Sequence, residues 1–311
     1  MKLAFFGTPE TAVPYLRRLA QEHEVVAVVT QPDKPRGRGR QVVASPVKQE
    51  ALRLGLPVLQ PPRVKSAEFC RRDELQEAEI MVVVAYGQIL PGSLCATPER
   101  PAVNVHYSLL PELRGAAPVQ RALWEGRQKT GVTVQYVAEE LDAGDIIRQR
   151  EVEIAPQDDA GSLFTKLQEA GVPALSEALR LLERGEAPRR PQAHESATYA
   201  PRLTPEEAAV NWNQSASFIV NQIRACGPSP GAYCHYRQHR LKLYGPELAD
   251  SDRREGKPGQ IADLSARGLT VQAGRGWVLI GEVQPEGKRR MPAGDFARGA
   301  RLAAGMALEN G

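Results

Sequence analysis

Short apolar runs alternate with longer amphipathic intervals through the first half of the chain. Two of the runs, residues 25–29 and 81–84, are continuously apolar, which is the pattern of strands covered on both faces. Strands that alternate with helical intervals are typical of parallel sheets with helical crossovers. We therefore expect an α/β fold with a doubly wound, mostly parallel sheet, whose ligand site lies at the carboxyl ends of the strands. The predicted strands are residues 2–6, 25–30, 80–85, 102–106 and 132–137.

The pattern changes in the second half of the chain. Apolar residues recur at helical spacing over residues 160–184, interrupted at Gly171 and Pro173, which predicts one helix or a pair of helices. Residues 185–204 are proline-rich and aperiodic, as in an extended linker lying across the surface. A helix over residues 215–226 is followed by short strands with glycine-rich turns, and this spacing predicts a small β-barrel. The expected strands are residues 231–236, 241–244, 259–264, 269–273 and 277–283.

Length and composition agree with two folded domains. At 311 residues with 42% apolar side chains, the chain has the size of two domains and is too apolar for wholesale disorder. We expect a first domain at residues 1–184, a linker at 185–204 and a second domain at 205–311. The longest apolar run is too short to cross a bilayer, and the amino terminus has the pattern of a strand rather than a secretion signal. Four cysteines without CxxC spacing predict no disulfides and no zinc, as in a reducing cytoplasm.

Overall charge does not decide the class of partner. Residues 1–202 carry 26 basic and 26 acidic side chains, and residues 203–311 carry 14 and 11. That surplus fits nucleic-acid binding, and it fits an ordinary solvated face equally well. A local cluster of cations, spaced by Pro and Gly, predicts a basic loop that either reaches phosphates or lies free in solvent. The cations of this loop are Lys34, Arg36, Arg38 and Arg40.

Asn104 and His106 are two positions apart on a predicted strand, so both side chains lie on one face at its carboxyl end. An amide donor beside an imidazole can polarise a carbonyl group and hold the oxygen that becomes negative in a tetrahedral intermediate. Asp142 follows a later strand, and its carboxylate can partner His106 or take a proton from an attacking amine. Each residue also has a structural interpretation, as a strand end, a buried histidine or a turn aspartate. On spacing alone, both interpretations stay open.

Several other chemistries lack their motifs in this chain. Neither GxGxxG nor GxxxxGK[ST] occurs, which argues against dinucleotide and P-loop sites. The zinc-protease motif HExxH is absent as well, and Ser108 does not lie within a serine-hydrolase pattern GxSxG. We therefore do not expect Ser108, although it lies close to His106, to act as a nucleophile.

Longer segments carry more information than these pairs. Together they closely resemble the folate-dependent formyltransferases, and among them the methionyl-tRNA formyltransferase family, in register through most of the chain. AYGQILP and HxSLLPxxRGAAP are the most specific of these segments. The full set is FFGTPETAVPYL, QPDKPRGRGR, SPVKQEA, VVVAYGQILP, NVHYSLLPELRGAAPVQRALWEG, TGVTVQYVAEELDAGDII, YAPRLTPEEA and NWNQSASFIVNQIRACGPSPGAY.

The resemblance implies a Rossmann-like formyltransferase fold followed by an OB-like, tRNA-binding β-barrel. It implies that the formyl group of 10-formyltetrahydrofolate passes to the α-amine of methionine on initiator methionyl-tRNA, for translation initiation and without a metal. By this resemblance the catalytic residues are Asn104, His106 and Asp142. The tetrahydrofolate site would include Ala85, Tyr86, Gly87, Gln88, Ile89, Leu90, Ser108, Leu109, Leu110, Pro111 and Val137.

The family also assigns tRNA contacts to the basic loop, with Arg38 at the position of an important arginine. The side chains expected at tRNA are Lys34, Arg36, Arg38, Arg40 and Arg202, the last replacing a usual lysine. Tyr107, Leu113 and Ser229 also depart from the family pattern, which bears on pocket shape and tRNA affinity. We expect a cytoplasmic monomer whose partners are tRNA and folate, without a membrane.

Two other functions stay open on the sequence. One is a folate-dependent formyltransferase that acts on an amino-sugar nucleotide, and SLLPxxRGAAP and the basic loop argue against it. The other is a non-catalytic RNA-binding protein on a formyltransferase fold, and the intact catalytic trio argues against that.

Overall fold

The computed structural model describes residues 1–36, 41–95, 99–249 and 256–311. The chain forms two compact units, each assembled from separated segments. The contiguous domain limits expected from the sequence stay a prediction. The first unit comprises Met1–Gly115, Gly131–Val152 and Thr165–Tyr199, and the second comprises Ala116–Thr130, Glu153–Phe164 and Ala200–Gly311.

The strands in the first half of the chain build one large sheet and a separate hairpin. They are β1 (Lys2–Gly7), β2 (Glu24–Val29), β3 (Lys34–Arg36), β4 (Gln41–Val43), β5 (Val58–Leu59), β6 (Ile80–Val84), β7 (Val103–His106), β8 (Lys129–Tyr136) and β9 (Ile146–Glu153). The large sheet has the order β5-β2-β1-β6-β7-β8-β9, and β3 pairs with β4. Its pairs β1/β2, β1/β6, β2/β5 and β6/β7 are parallel, and β7/β8 is antiparallel.

The predicted α/β fold with a mostly parallel sheet is confirmed. All five residues of β6 are buried, as are the last five of β1, because helices and loops cover both faces of the central strands. Sequence reasoning missed β3, β4, β5 and β9. The first three have only two or three residues each, and five of the eight residues of β9 are polar or charged. The loops that follow β6 and β7 leave the sheet from a rigid, buried base.

The helices include one that the sequence predicted either as a single helix or as a pair. They are α1 (Val13–Glu22), α2 (Pro46–Arg53), α3 (Ala67–Cys70), α4 (Asp73–Gln76), α5 (Gly92–Cys95), α6 (Pro118–Trp124), α7 (Ala160–Glu183), α8 (Ala216–Cys226) and α9 (Ala293–Ala300). Helix α7 is continuous over 24 residues although Pro173 lies inside it. Among the helices described, none has the length and apolar character that spanning a bilayer requires.

Gly171 has a packing role within α7. A Cβ atom at this position would overlap the hydroxyl of Tyr15 in α1 and lie 3.2 Å from Val132 Cγ1 of β8. Glycine in a helix interior costs about 1 kcal/mol relative to alanine, and here the missing side chain lets Tyr15 approach the helix. Gly171 therefore marks a close contact, although the sequence pattern suggested an interruption.

The second unit contains an antiparallel sheet. Its strands are β10 (Tyr233–Tyr236), β11 (His239–Ala249), β12 (Ile261–Ser265), β13 (Gly268–Gln272), β14 (Trp277–Pro285) and β15 (Met291–Pro292). The order is β10-β11-β14-β13-β12, with β15 paired to β14. The predicted antiparallel β domain is confirmed, whereas β15 and α9 were not predicted.

The carboxyl-terminal residues join the two edges of this second sheet. The Glu309 N–H donates to His235 O of edge strand β10 at 2.8 Å. On the other side, the Ile261 N–H of edge strand β12 donates to Met306 O at 2.7 Å, and the Leu308 N–H donates to Gly259 O at 2.8 Å. Both edges are therefore paired by one segment, which gives the sheet a barrel-like closure and removes the exposed edges that favour aggregation.

Replacing Gly171 by alanine tests the contact with Tyr15. We expect Gly171→Ala to lower the free energy of unfolding by about 1–3 kcal/mol, because overpacking a tight contact outweighs the better helix propensity of alanine. Urea unfolding measures the change. The matched control is Gly299→Ala in α9, where no atom lies within 4 Å of the added carbon, and it should be neutral or stabilising. Equal effects of the two substitutions would contradict the contact.

Candidate active site

Polar side chains gather where β7 and β8 lie side by side. In the antiparallel register, Asn104 is opposite Gln135 and His106 is opposite Thr133. Because directly opposed residues share a face of the sheet, these four side chains project the same way. Gln135 and Thr133 are 2% and 0% exposed, so the row is polar but almost dry.

Asp142, in the turn between β8 and β9, adds a carboxylate to this row. Its Oδ1 accepts hydrogen bonds from Gln135 Nε2 at 3.2 Å and from Asn104 Nδ2 at 3.5 Å. Its Oδ2 accepts from the backbone N–H of Gly115 at 2.9 Å and faces His106 Nδ1 at 3.5 Å. The Asp142 side chain is 9% exposed. Protein donors therefore replace the water that a buried charge would lose.

His106 lies between two oxygen atoms. Its Nδ1 faces the Asp142 carboxylate at 3.5 Å, and its Nε2 lies 2.9 Å from the carbonyl oxygen of Leu113. A neutral imidazole has one donor and one acceptor nitrogen, so it would turn one lone pair toward an oxygen acceptor. With its proton on Nε2, the ring donates to Leu113 O and leaves the Nδ1 lone pair toward Asp142. His106 can therefore accept a proton from the side of Asp142 while its other nitrogen stays hydrogen-bonded to Leu113.

Backbone strain collects around this pair. Ala85, Leu113 and Asp142 have φ values of 49°, 57° and 53°, in the left-handed region that costs an L-residue about 1–2 kcal/mol. Ala85 follows β6, Leu113 supplies the carbonyl oxygen that His106 contacts, and Asp142 supplies the carboxylate. Strained residues of this kind persist where the surrounding structure fixes them, and they concentrate at functional sites.

A cleft of about 180 Å³ opens next to Asn104 and Asp142. Its polar lining comes from Asn104, Asp142, Gln135, Gln88 and Glu139, and its apolar lining includes Val83, Leu90, Val137 and Leu141. Apolar walls with a few convergent polar groups are typical of small-molecule sites, although such sites usually measure 300–1,000 Å³. The cleft therefore accommodates part of a ligand. Ile89 and Leu141 at its rim are 63% and 55% exposed, and a ligand would cover this apolar surface.

The loop after β6, with the sequence AYGQILP, is held by hydrogen bonds at Tyr86 and at Gln88. Thr8 Oγ1 donates to Tyr86 O at 2.8 Å, and Gln88 Oε1 accepts from the Val64 N–H at 3.1 Å. The Tyr86 ring is buried against Phe6, with ring centroids 5.5 Å apart. Burial raises the pKa of the Tyr86 hydroxyl to about 12, so the ring is a neutral packing element. These contacts fix one wall of the cleft.

Comparisons with known proteins identify the family to which this chain belongs. Residues 1–179 match the family model described as formyl transferase, and residues 202–301 match the model of the formyl transferase C-terminal domain. The chain belongs to the formyl transferase family. The predicted enzyme class, a formyltransferase, and the predicted fold are therefore confirmed.

Individual relatives agree with this family. The chain is 46% identical over 309 residues to the methionyl-tRNA formyltransferase of Moorella thermoacetica, with 99% of each chain covered. It is 45% identical to the methionyl-tRNA formyltransferase of Geobacillus thermodenitrificans, over 98% of this chain and 97% of that one. A similar solved structure is WlaRD, a sugar 3N-formyl transferase in the presence of dTDP and 5-N-formyl-THF. It has a TM-score of 0.69 at 17% identity and covers 93% of this chain and 99% of that chain, and this likeness shows the fold.

The structure of this formyl transferase brings the three predicted catalytic residues together. Asn104 and Asp142 line the cleft, and His106 contacts Asp142 without lining it. Of the predicted folate residues after β6, Gln88, Ile89 and Leu90 line the cleft, as does Val137 after β8. The preceding residues of the same loop, Ala85, Tyr86 and Gly87, do not line it.

The other predicted folate residues, Ser108, Leu109, Leu110 and Pro111, do not line the cleft either. Two of them are turned into the protein by hydrogen bonds that stabilise the loop after β7. Ser108 Oγ donates to Glu112 O at 2.6 Å, and the Leu110 N–H donates to Thr133 Oγ1 at 3.1 Å. In this structure the segment is hydrogen-bonded to Thr133, and it therefore holds a residue of the polar row in place.

Three buried polar residues of the site were missed by sequence reasoning. Gln135 had a usable signal, because the strand period of two places it on one face with Thr133. Arg114 lies within the RGAAP segment, and Gln192 lies in the segment expected to be a surface linker. That expectation was wrong for Gln192, which is 5% exposed and hydrogen-bonded to Arg114. Neither composition nor periodicity could indicate this contact.

The predicted basic loop begins as a hairpin. Lys34 pairs with Val43 in the β3/β4 ladder, and its side chain is exposed. At the root of the hairpin, Asp33 accepts hydrogen bonds from Lys48 Nζ at 2.6 Å and Gln60 Nε2 at 2.7 Å, and these bonds lower the pKa of Asp33. Arg36 contributes backbone to β3, while Arg38 and Arg40 lie outside the described residues.

The residues that depart from the family pattern lie in different places. Tyr107 is 6% exposed and donates to Thr11 O at 3.2 Å, so its ring packs into the protein and does not line the cleft. Leu113 is buried with the strained backbone described above. Arg202 and Ser229 are exposed residues of the second unit.

Strain at Ala85 can be tested by removing its side chain. We expect Ala85→Gly to raise the free energy of unfolding by up to about 1 kcal/mol, because relief of the left-handed backbone outweighs the extra entropy of glycine in the unfolded chain. Urea unfolding provides the measurement. Ala67→Gly, at an exposed position of α3, is the control and should be destabilising by about 0.5–1 kcal/mol. Destabilisation by both substitutions would argue against strain at Ala85.

Proposed function

We propose that this enzyme transfers the formyl group of 10-formyltetrahydrofolate to the α-amine of methionine on initiator methionyl-tRNA, for translation initiation. The observation that carries the proposal is the convergence of the Asn104 amide and the Asp142 carboxylate at one apolar cleft. Relatives named methionyl-tRNA formyltransferase, at 46% and 45% identity over nearly the whole chain, support the same acceptor.

The residues of the cleft fit the ring end of a folate. A flat heterocycle needs apolar contacts on its faces, which Leu90, Val137 and Leu141 can supply. Its polar edge needs fixed donors and acceptors, which the loops around Gln88 and Ala138 can supply through side chain and backbone. The bound folate would supply an activated formyl group. In this cleft a folate would contact the same side chains that we assign to catalysis.

In the proposed reaction the acceptor amine attacks the formyl carbon, and the carbonyl oxygen becomes negative. Asn104 Nδ2 is the donor best placed for this oxygen, because its contact with Asp142 is long at 3.5 Å and is therefore easily exchanged. Asp142 accepts the proton that the amine loses. When the tetrahedral intermediate collapses, the bond between the formyl carbon and the folate nitrogen breaks, and the proton held at Asp142 passes to that nitrogen as tetrahydrofolate leaves. The apolar walls exclude water, which strengthens the hydrogen bond to the oxyanion.

His106 acts through Asp142 in this proposal. Its ring lies between Asp142 and the Leu113 carbonyl, so it holds the carboxylate and can share the proton that Asp142 receives. The direct contact of His106 with the oxyanion that the resemblance implies would require the ring to leave Leu113. We assign it the positioning role that its contacts support.

For the tRNA we propose the basic hairpin and the second domain as the binding surfaces. Lys34, Arg36, Arg38 and Arg40 would contact phosphates from the hairpin, and Arg202 would do so from the end of the linker. The proposed domain limits are those expected from the sequence, with a catalytic domain at 1–184, a linker at 185–204 and a tRNA-binding domain at 205–311.

An amino-sugar nucleotide is the alternative acceptor. WlaRD is named as a sugar formyl transferase and shares the fold, but its 17% identity compares with 46% for the Moorella relative. The decisive experiment offers the enzyme 10-formyltetrahydrofolate with charged initiator tRNA, charged elongator methionine tRNA or an amino-sugar nucleotide. We expect N-formylation of the initiator species. Formylation of the sugar alone, or of no acceptor, would refute the proposal.

Substitution of the cleft residues tests the catalytic assignment. Removing the oxyanion donor by Asn104→Ala should lower kcat by about 10²- to 10³-fold, and Asp142→Asn should lower it by about 10²- to 10⁴-fold. Single-turnover transfer to initiator methionyl-tRNA measures both. Gln168→Leu controls for general loss of structure, because it removes a hydrogen bond to Thr11 O in the same unit and lies outside the cleft lining. Near-normal turnover by Asn104→Ala would remove Asn104 from the mechanism.

The role of the basic hairpin can be tested by measuring how the affinity for tRNA changes with salt concentration. Each phosphate contact on single-stranded nucleic acid contributes about −0.7 to the slope of log affinity against log salt. We expect Arg38→Ala to raise the KM for tRNA and to flatten this slope by about that amount, with kcat retained. Arg71→Ala, which removes an exposed arginine of the first unit, should change neither quantity. The same slope in all three proteins would exclude a phosphate contact by Arg38.

A further inference from the structure

A chain of hydrogen bonds runs from a buried guanidinium to the carboxylate of the cleft. Arg114 is 1% exposed, and its Nε and Nη2 donate to Gln192 Oε1 at 3.1 and 2.7 Å. Gln192 Nε2 donates to Gln135 Oε1 at 3.2 Å, and Gln135 Nε2 donates to Asp142 Oδ1 at 3.2 Å. We call these four residues, Arg114, Gln192, Gln135 and Asp142, the amide relay.

The chemistry of Arg114 fixes the direction of the amide relay. A guanidinium has donors and no acceptor, so Gln192 must turn its oxygen toward Arg114 and its amide nitrogen toward Gln135. Gln135 must then accept with its oxygen, which turns its own nitrogen toward Asp142. The orientation of an isolated glutamine amide is ambiguous, but here each orientation follows from the previous one. The relay therefore delivers an N–H, rather than an oxygen, to the carboxylate.

Gln192 also holds the backbone that carries Asp142. Its Nε2 lies 2.9 Å from Asp142 O and 2.7 Å from Gly144 O, so it bridges the two sides of the turn. The turn needs this restraint, because Asp142 has a φ of 53°. A Cβ atom at Gly144 would overlap Tyr136 O, so the turn is pressed closely against the end of β8.

We propose that Gln192 is a positioning residue for formyl transfer, which acts by fixing both the backbone and the carboxylate orientation of Asp142. This inference rests on the proposed function and deepens it, because it assigns a catalytic duty to the segment expected to be only a linker. It also makes Arg114 the fixed end of the relay. Arg114 Nη1 is paired with Glu140 Oε1 at 3.3 Å, which holds the guanidinium in place.

The chain contains a matched control for Gln192. Gln222 in the second unit is 3% exposed, and its Nε2 donates to the carbonyl oxygens of Glu207 and Ala209 at 2.8 and 2.9 Å. It therefore bridges two carbonyls two residues apart, as Gln192 does. Gln222 Oε1 has no partner among the described residues, so it has the same bridge without a guanidinium behind it.

Gln192→Glu is the informative substitution. The carboxylate keeps an acceptor for Arg114 and nearly the same volume, so the buried guanidinium is not left unpaired. It offers no N–H to Gln135 or to the turn, so Gln135 turns and presents its oxygen to Asp142. We expect kcat for initiator methionyl-tRNA to fall by about 10²-fold, the cost of a small misplacement of a reacting group, with KM for tRNA unchanged. Gln222→Leu should keep the wild-type kcat.

A second readout does not require activity. In protein labelled with ¹⁵N at glutamine side chains, the Gln135 amide resonances should keep their wild-type chemical shifts in Gln222→Leu. They should move in Gln192→Glu, because the Gln135 N–H then faces position 192 and no longer Asp142. Thermal unfolding of each variant shows that it is folded. If the wild type formylates no methionyl-tRNA, the proposed function fails, and the chemical-shift experiment still decides the relay. Equal Gln135 shifts in the three proteins, or an unchanged kcat in an active Gln192→Glu, would overturn the inference.

Discussion

The buried carboxylate of Asp142 is the constraint around which the polar residues of the first unit are arranged. Removing an ion of this size from water costs several kcal/mol even after relaxation, so the fold must return donors to both oxygens. Those donors come from β7, from β8 and from the backbone at Gly115. These three segments are thereby fixed relative to one another at the cleft.

In this site, residues with a strained backbone conformation supply the polar contacts of buried side chains. The left-handed backbone at Leu113 aims its carbonyl oxygen at His106 Nε2, and the left-handed backbone at Asp142 places its side chain over β7 and β8. Each of these conformations costs about 1–3 kcal/mol. The buried strands beneath, β6 and β7, give a base rigid enough to hold them. The stability of the sheet thus supports an arrangement that the loops alone would not adopt.

The sequence predicts those features of the site that follow from the two-residue repeat of side-chain direction along a strand. It does not predict the features that depend on contacts between distant residues. The spacing of Asn104 and His106, and the position of Asp142 after a strand, follow from the strand pattern. The contact of Gln192 with Asp142 joins residues 50 positions apart, and a proline-rich, aperiodic segment gives no local signal for it. The inward turn of Ser108 toward Glu112 O likewise depends on the loop conformation, which residue types alone do not determine.

The donors around Asp142 differ from those around another buried carboxylate of the same unit. Glu50 is bound directly by the guanidinium groups of Arg17 and Arg53, and these bonds lower its pKa to about 2, so it holds no proton at neutral pH. Around Asp142, Asn104 and Gln135 supply neutral amides, and Arg114 is kept two side chains away. Amide donors fix the direction of a carboxylate without adding a full positive charge beside it. In the proposed reaction these amides orient the carboxylate that accepts the proton of the amine.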